Sequence, residues 1–182
     1  MGLGIINEFK RTHTPYMTKY HPIIEKDNKN DKVYTPERVA KDIIKTLDTK
    51  FGINGKVLEP CKGGGAFYNN IPDKCEKLWC EIDEGVDFFN FNDKVDWIIT
   101  NPPYSIFDEF ILHSFEIANN IALLIPINKL TSSHRRIMDI KKYGGVVYIK
   151  IYKGSECNFP FGFACGLVYL KKGYKGGINI DA

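Results

Sequence analysis

Arginine, paired cysteines and long apolar runs are what this 182-residue chain has least of. Its five cysteines, at positions 61, 75, 80, 157 and 165, are odd in number and include no C-x-x-C pair. That argues against a disulfide framework or a zinc site, and for reduced thiols that are mostly buried. No apolar run is long enough to span a bilayer. The opening "MGLGIINEFKR" has a short apolar run followed by charge, unlike a signal peptide, so a cytoplasmic protein is expected. Gly2 does not fit myristoylation, because Ile6 stands where Ser or Thr is required. Only four of the 25 basic residues are Arg. Lysine neutralises phosphate, whereas arginine reads guanine with two hydrogen bonds, so any nucleic acid would be held by its backbone more than by its bases. A net charge of +3 is compatible with a polyanion and does not establish one.

Two familiar phosphate motifs are missing as well. "CKGGGAFYNN" would need Gly at position 68 for the dinucleotide fingerprint, and Tyr68 is there. No G-K-[ST] of a P-loop occurs.

What is present is an alternation of strand and helix patterns. After an irregular polar stretch, residues 1–32, "YTPERVAKDIIKTLDTKFG" reads as a helix. Thr35 is its expected cap, Pro36 its first residue, and Val39, Ile43, Ile44 and Leu47 its apolar stripe. "KVLEP", "KLWCEID", "KVDWIIT", "NIALLIP", "VVYIKIY" and "FACGLVYL" read as strands, and "GVDFFNF" as a further element or loop. "SIFDEFILHSFEIA" and "TSSHRRIMDIKKYGG" read as helices, the second capped by Thr131 or Ser132 and ended by Gly144. The alternation predicts a mostly parallel α/β sheet with both faces covered. The last two of these strands have no room for a helix between them, which predicts an antiparallel pair.

Four short segments carry candidate chemistry. In "EPCKGGGAF" the glycines let backbone approach a ligand closely, and Glu59 would repel a pyrophosphate but attract an ammonium; a plain tight turn uses glycines in the same way. Glu81 in "CEID" ends a strand where a carboxylate can hold ribose hydroxyls, or simply be solvated. Ile82 and the Asp87-Phe88 pair offer apolar faces and an acceptor suited to an adenine. The most specific segment is "DWIITNPPY". Pro102 and Pro103 have no N–H, so the turn presents carbonyls without donors there. The side-chain carbonyl of Asn101 adds a second acceptor, and two acceptors suit an exocyclic NH2. Tyr104 adds a face on which a flipped base can stack.

Taken in order over roughly residues 33–170, these segments resemble the S-adenosylmethionine-dependent DNA adenine-N6 methyltransferases of the NPPY type. The resemblance implies a Rossmann-like class I methyltransferase fold: an α/β, mostly parallel seven-stranded sheet with an antiparallel last strand. It divides the chain into an arm or flap (1–32), a catalytic domain (33–172) and a C-terminal tail (173–182). Tyr34, Thr35 and Pro36 would border the methionine end of the cofactor, and Glu59, Pro60, Cys61, Gly63 and Gly65 its sulfonium and amino-acid end. Glu81 would hold the ribose, Ile82 and Phe88 would sandwich the adenine, and Asp87 would accept from its amino group. Asn101 and Pro102, with Pro103 and Tyr104 completing the tetrapeptide, would bind and stack the target base. Of Phe159, Phe161 and Phe163, Phe161 is the choice for its opposite face. Arg135 and Arg136, near Lys141 and Lys142, would grip phosphates, though a solvated helix face uses the same residues. No metal and no cysteine nucleophile are required.

Family members with strong sequence specificity usually carry a recognition domain, for which this chain has little room. Reading would fall to the N-terminal arm (Lys10, Arg11, His13, Tyr16, Lys19), to a partner protein or to self-association. RNA adenine, protein glutamine and cytosine-N4 are the alternative acceptors, and a catalytically silent nucleic-acid-binding module is the alternative class.

Overall fold

Uninterrupted apolar runs organise this molecule, and they lie where helices cover both faces of one sheet. A computed structural model describes residues 33–159 and 162–182. The expected N-terminal arm and Phe161 lie outside the described residues. Seven strands form the sheet: β1 (Lys56–Glu59), β2 (Glu76–Trp79), β3 (Val95–Thr100), β4 (Ala118–Pro126), β5 (Gly144–Tyr152), β6 (Cys165–Lys172) and β7 (Asn179–Asp181). Their order is β2-β1-β3-β4-β6-β5-β7. β1 pairs in parallel with β2 and β3, and β3 with β4. β6 runs antiparallel to both β4 and β5. It is the antiparallel strand expected from the sequence, but a short β7, drawn from the stretch expected as a tail, follows it and pairs in parallel with β5.

Period-2 alternation sorts each strand between two cores. Trp97 and Ile99 of β3 lie in one core with Ile43 and Leu47 of helix α1 (Glu37–Phe51) and with Ile53 just beyond it. Ile98, between them, points into the other core, with Phe107, Phe110 and Ile111 of α2 (Phe107–Ile117) and Ile140 of α4 (His134–Tyr143). The apolar stripe expected for α1 is buried as a unit. A short α3 (Ile127–Thr131) links β4 to α4. "GVDFFNF" forms a 3-10 turn over Phe88–Asn90, not a strand.

Two helix caps differ from expectation. The N-cap of α1 is Pro36, which has no side-chain acceptor, so the helix starts without a side-chain cap and Thr35, expected in that place, lies one residue earlier. The cap of α4 is Ser133, whose hydroxyl accepts from the Arg136 amide, because Thr131 is taken up in α3. The thiols also differ: Cys157 and Cys165 pair as a disulfide, leaving Cys61, Cys75 and Cys80 reduced. Spacing gave no sign of this pair, because antiparallel β5 and β6 bring the two ends of the intervening loop together. Burial pushes the Cys80 thiol up to about 11 and raises those of Cys61 and Cys75, so none of the three is a thiolate nucleophile. Among the described residues, no helix is long and apolar enough to cross a membrane.

Candidate active site

The strand order reverses between β1 and β3, and in such sheets a ligand crevice opens beyond the carboxyl ends of the strands at that point. β1 ends there on Glu59, and β3 runs directly into Asn101. Glu59 is buried, and its carboxylate accepts from the Tyr68 amide at 2.6 Å. Burial pushes its pKa up to about 8, with the Glu81 charge adding to the rise and the backbone amides of Tyr68 and Phe67 opposing it. Between Glu59 and Tyr68 runs the glycine loop. Gly63 (φ +48°) and Gly65 (φ +79°) occupy left-handed backbone that side-chain-bearing residues seldom adopt. A Cβ at Gly63 would lie 3.3 Å from the ring of Tyr34, which roofs the loop and is otherwise exposed. Gly64 faces open space.

Glu81 holds this loop to the end of β2. One of its oxygens accepts from the Gly63 amide at 2.6 Å, the other from Asp83 at 3.1 Å. The loop is also tied by Lys62, whose amide donates to the Cys80 carbonyl and whose ammonium meets Glu84 at 3.0 Å over the Trp79 ring. Ile82 is 59 % exposed beside this junction. Asp87 accepts from the Phe89 amide at 3.0 Å. Phe88 is buried against Phe110 and His113, and Phe89 is the exposed ring of the pair. His113 meets the carbonyls of Phe88 and Phe91 through Nε2.

The opposite wall is the NPPY turn. Pro102 is buried, and Asn101, Pro103 and Tyr104 are half-buried. The Asn101 amide donates to the Val33 carbonyl at 3.0 Å and to Thr35 Oγ1 at 3.3 Å. Its carbonyl oxygen faces the other way and accepts from the Tyr104 hydroxyl at 2.6 Å. Lys129 donates to the Tyr104 carbonyl at 3.3 Å. The Tyr104 ring lies against Phe159, with centroids 5.7 Å apart and planes tilted by 55°. Phe159 is buried and Phe163 is 58 % exposed.

Contacts thus join Tyr34, Gly63 and Glu81 in one group and Thr35 and Asn101 in another, with Tyr34 and Thr35 adjacent in the chain, while Glu59 is held by the Tyr68 amide at the far end of the glycine loop. Arg136 belongs to neither group. It is buried, donates to Asp108 at 2.6 Å, to the Lys129 carbonyl and to Ser132, and lies over the Phe107 ring. Arg135 is exposed and, among the described residues, pairs with Asp139 at 3.8 Å. Sequence reasoning missed the Val33 carbonyl, Lys129 and the Tyr104–Phe159 contact. The first is a backbone atom without residue identity, and the other two lie far from Asn101 or Tyr104 in the chain.

This sheet, with one antiparallel strand and helices on both faces, has the class I methyltransferase fold, and the likeness to solved structures is one of fold. A protein of Pyrococcus horikoshii described as an RNA methyltransferase superimposes with a TM-score of 0.57 at 17 % identity, over 79 % of this chain and 88 % of that one. A protein of Listeria monocytogenes described as a class I S-adenosylmethionine-dependent methyltransferase gives 0.64 at 12 %, over 83 % and 65 %. The methyltransferase subunit of a type I restriction-modification system from Streptococcus thermophilus gives 0.58 at 16 %, over 77 % and 45 %. The chain thus spans less than half of that subunit. No protein-family model and no curated protein sequence matches this chain.

Proposed function

We propose that this protein is an S-adenosylmethionine-dependent methyltransferase acting on the exocyclic N6 amino group of an adenine in DNA. The observation that carries the reading is Asn101. Its amide hydrogens go to the Val33 carbonyl and the Thr35 hydroxyl, which leaves its carbonyl oxygen, at the end of β3 and beside the Pro-Pro turn, on the side of the Tyr104 hydroxyl. The neighbouring folds support a methyltransferase, and a restriction-modification subunit among them supports DNA.

The residues present fit the cofactor. Gly64 borders open space, and Glu59 is a buried carboxylate that forms no ion pair among the described residues. A cationic amino-acid group is the partner that would hold such a carboxylate ionised. Glu59 and the loop 60–65 would hold the methionine end, and Glu81, Ile82 and Asp87 the nucleoside end. When bound, S-adenosylmethionine supplies a methyl group already activated by its sulfonium. Positioning and electrostatics are left to the chain.

An aryl amine is a poor nucleophile because its lone pair is delocalised into the ring. The Asn101 and Pro102 carbonyls would each accept one hydrogen of the NH2, turning it out of the ring plane. The same two dipoles would stabilise the positive charge that grows on nitrogen as it is methylated. The incoming amino group would take over the Asn101 oxygen that the Tyr104 hydroxyl now occupies, with the Tyr104 ring stacking on the base.

The test is methyl transfer from labelled cofactor to mixed DNA and RNA, followed by nucleoside mass spectrometry. N6-methyladenine in DNA is expected. Asn101→Ala should cost roughly 10²–10³-fold in turnover while cofactor affinity holds. Equal turnover in that variant would remove Asn101 from the chemistry. Label in RNA adenine, in DNA cytosine-N4 or in a protein glutamine would reassign the acceptor while keeping the clamp.

A further inference from the structure

The two ends of an asparagine amide are nearly equal in size, so packing alone does not choose which end faces a ligand. At Asn101 the choice is made by a segment more than sixty residues earlier. The Val33 carbonyl can only accept, so it selects the NH2 end. Thr35 Oγ1 takes the second hydrogen at 3.3 Å and restrains rotation about the last side-chain bond. Pro36 holds the N-cap position of α1, so Thr35 lies one residue outside the helix and its hydroxyl caps nothing. The Thr35 hydroxyl is engaged with Asn101 instead.

We propose that Thr35 is a positioning residue for methyl transfer: it locks the Asn101 carbonyl toward the amino group to be methylated, and holding the cofactor is not its main task. The inference rests on the reading of Asn101 as the acceptor clamp. It separates Thr35 from its neighbour Tyr34, whose ring covers the glycine loop.

Two variants test it, with steady-state kinetics on the acceptor identified above. Thr35→Val keeps the shape and loses the oxygen; Thr35→Ser keeps the oxygen. Thr35→Val is expected to lower kcat by about tenfold, the worth of one hydrogen bond, with the cofactor KM within about twofold. Thr35→Ser is expected to recover most of that loss. A raised cofactor KM at unchanged kcat would make Thr35 a cofactor contact and overturn the proposal, as would two unchanged constants.

A second readout does not depend on turnover. The Asn101 side-chain NH2 pair is followed by nitrogen-15 NMR and assigned by its disappearance in Asn101→Ser. In Thr35→Val one proton of the pair should shift toward the solvent-exposed position and exchange faster, and in Thr35→Ser it should not. Identical pairs in wild type and Thr35→Val would overturn the lock. Absence of methyl transfer by the wild type to any acceptor would count against the clamp reading, and the amide resonance would still decide whether Thr35 holds Asn101.

Discussion

Glu59 is the residue whose surroundings change its chemistry most. Its ordinary pKa is near 4.5, and burial raises it to about 8. The folded, ligand-free protein therefore holds a proton that the unfolded chain releases. This site's contribution to stability is complete below about pH 4.5 and is lost as pH rises through about 8. The melting temperature of the ligand-free protein should accordingly fall as pH rises from about 4.5 to about 8. Glu59→Gln, which stays neutral, should flatten that fall. Scanning calorimetry across the range measures it, and a slope unchanged by the substitution would assign the titration to another group. Asn101 differs in kind. On the proposed reading its role would come from direction and not from charge, and its amide is oriented by Val33 and Thr35.

Between elements, one arginine that the sequence suggested for phosphate is taken up by structure instead. His134-Arg135-Arg136 reads as a basic cluster, but Arg136 turns inward and joins α2, α3 and α4 through Asp108, the Lys129 carbonyl and Ser132. Helical geometry places consecutive residues about 100° apart, so Arg135 and Arg136 cannot share one face. Arg136→Ala should lower unfolding stability by about 2 kcal/mol, because several hydrogen bonds and a packed side chain go together. Arg135→Ala should change stability by less than about 0.5 kcal/mol. Urea titrations of the two variants separate them; equal effects would remove Arg136 from the junction. Across the other face, Asp42 accepts from Lys150 at 2.7 Å and from Tyr152 at 2.6 Å, fastening α1 to β5. Burial works against the Asp42 carboxylate, but these two partners outweigh it and hold its pKa below the ordinary range. That anchor keeps α1, and with it the Val33–Thr35 segment, in register with the sheet.

For the whole molecule, charge bounds how DNA would be held. The excess is only +3 and is nearly all lysine. On the proposed reading, few phosphates are neutralised, and log K against log salt should have a slope of about −3, for three or four contacts. Fluorescence anisotropy with a labelled duplex at several salt concentrations measures it. A slope steeper than about −6 would mean that concentrated basic patches, not overall charge, carry the binding.

Fold class, six of the seven strands and the apolar face of α1 were legible in the chain, because periodicity and turn chemistry act over a few residues. So was the order of the glycine loop, Glu81, Asp87 and the NPPY turn, since each sits at the end of its own strand or short turn. The third dimension decided what those residues touch. Phe88 went into the core and left Phe89 exposed. Ser133 displaced Thr131 and Ser132 as a cap. Cys157 met Cys165. Thr35, one residue outside α1, accepted from Asn101. Each outcome depends on strand register and helix packing, which set distances between residues far apart in the chain and leave no local pattern in it. The amino-acid order by itself determined which acceptors and carboxylates stand at the carboxyl edge of the sheet. Only tertiary contact decided which way they face.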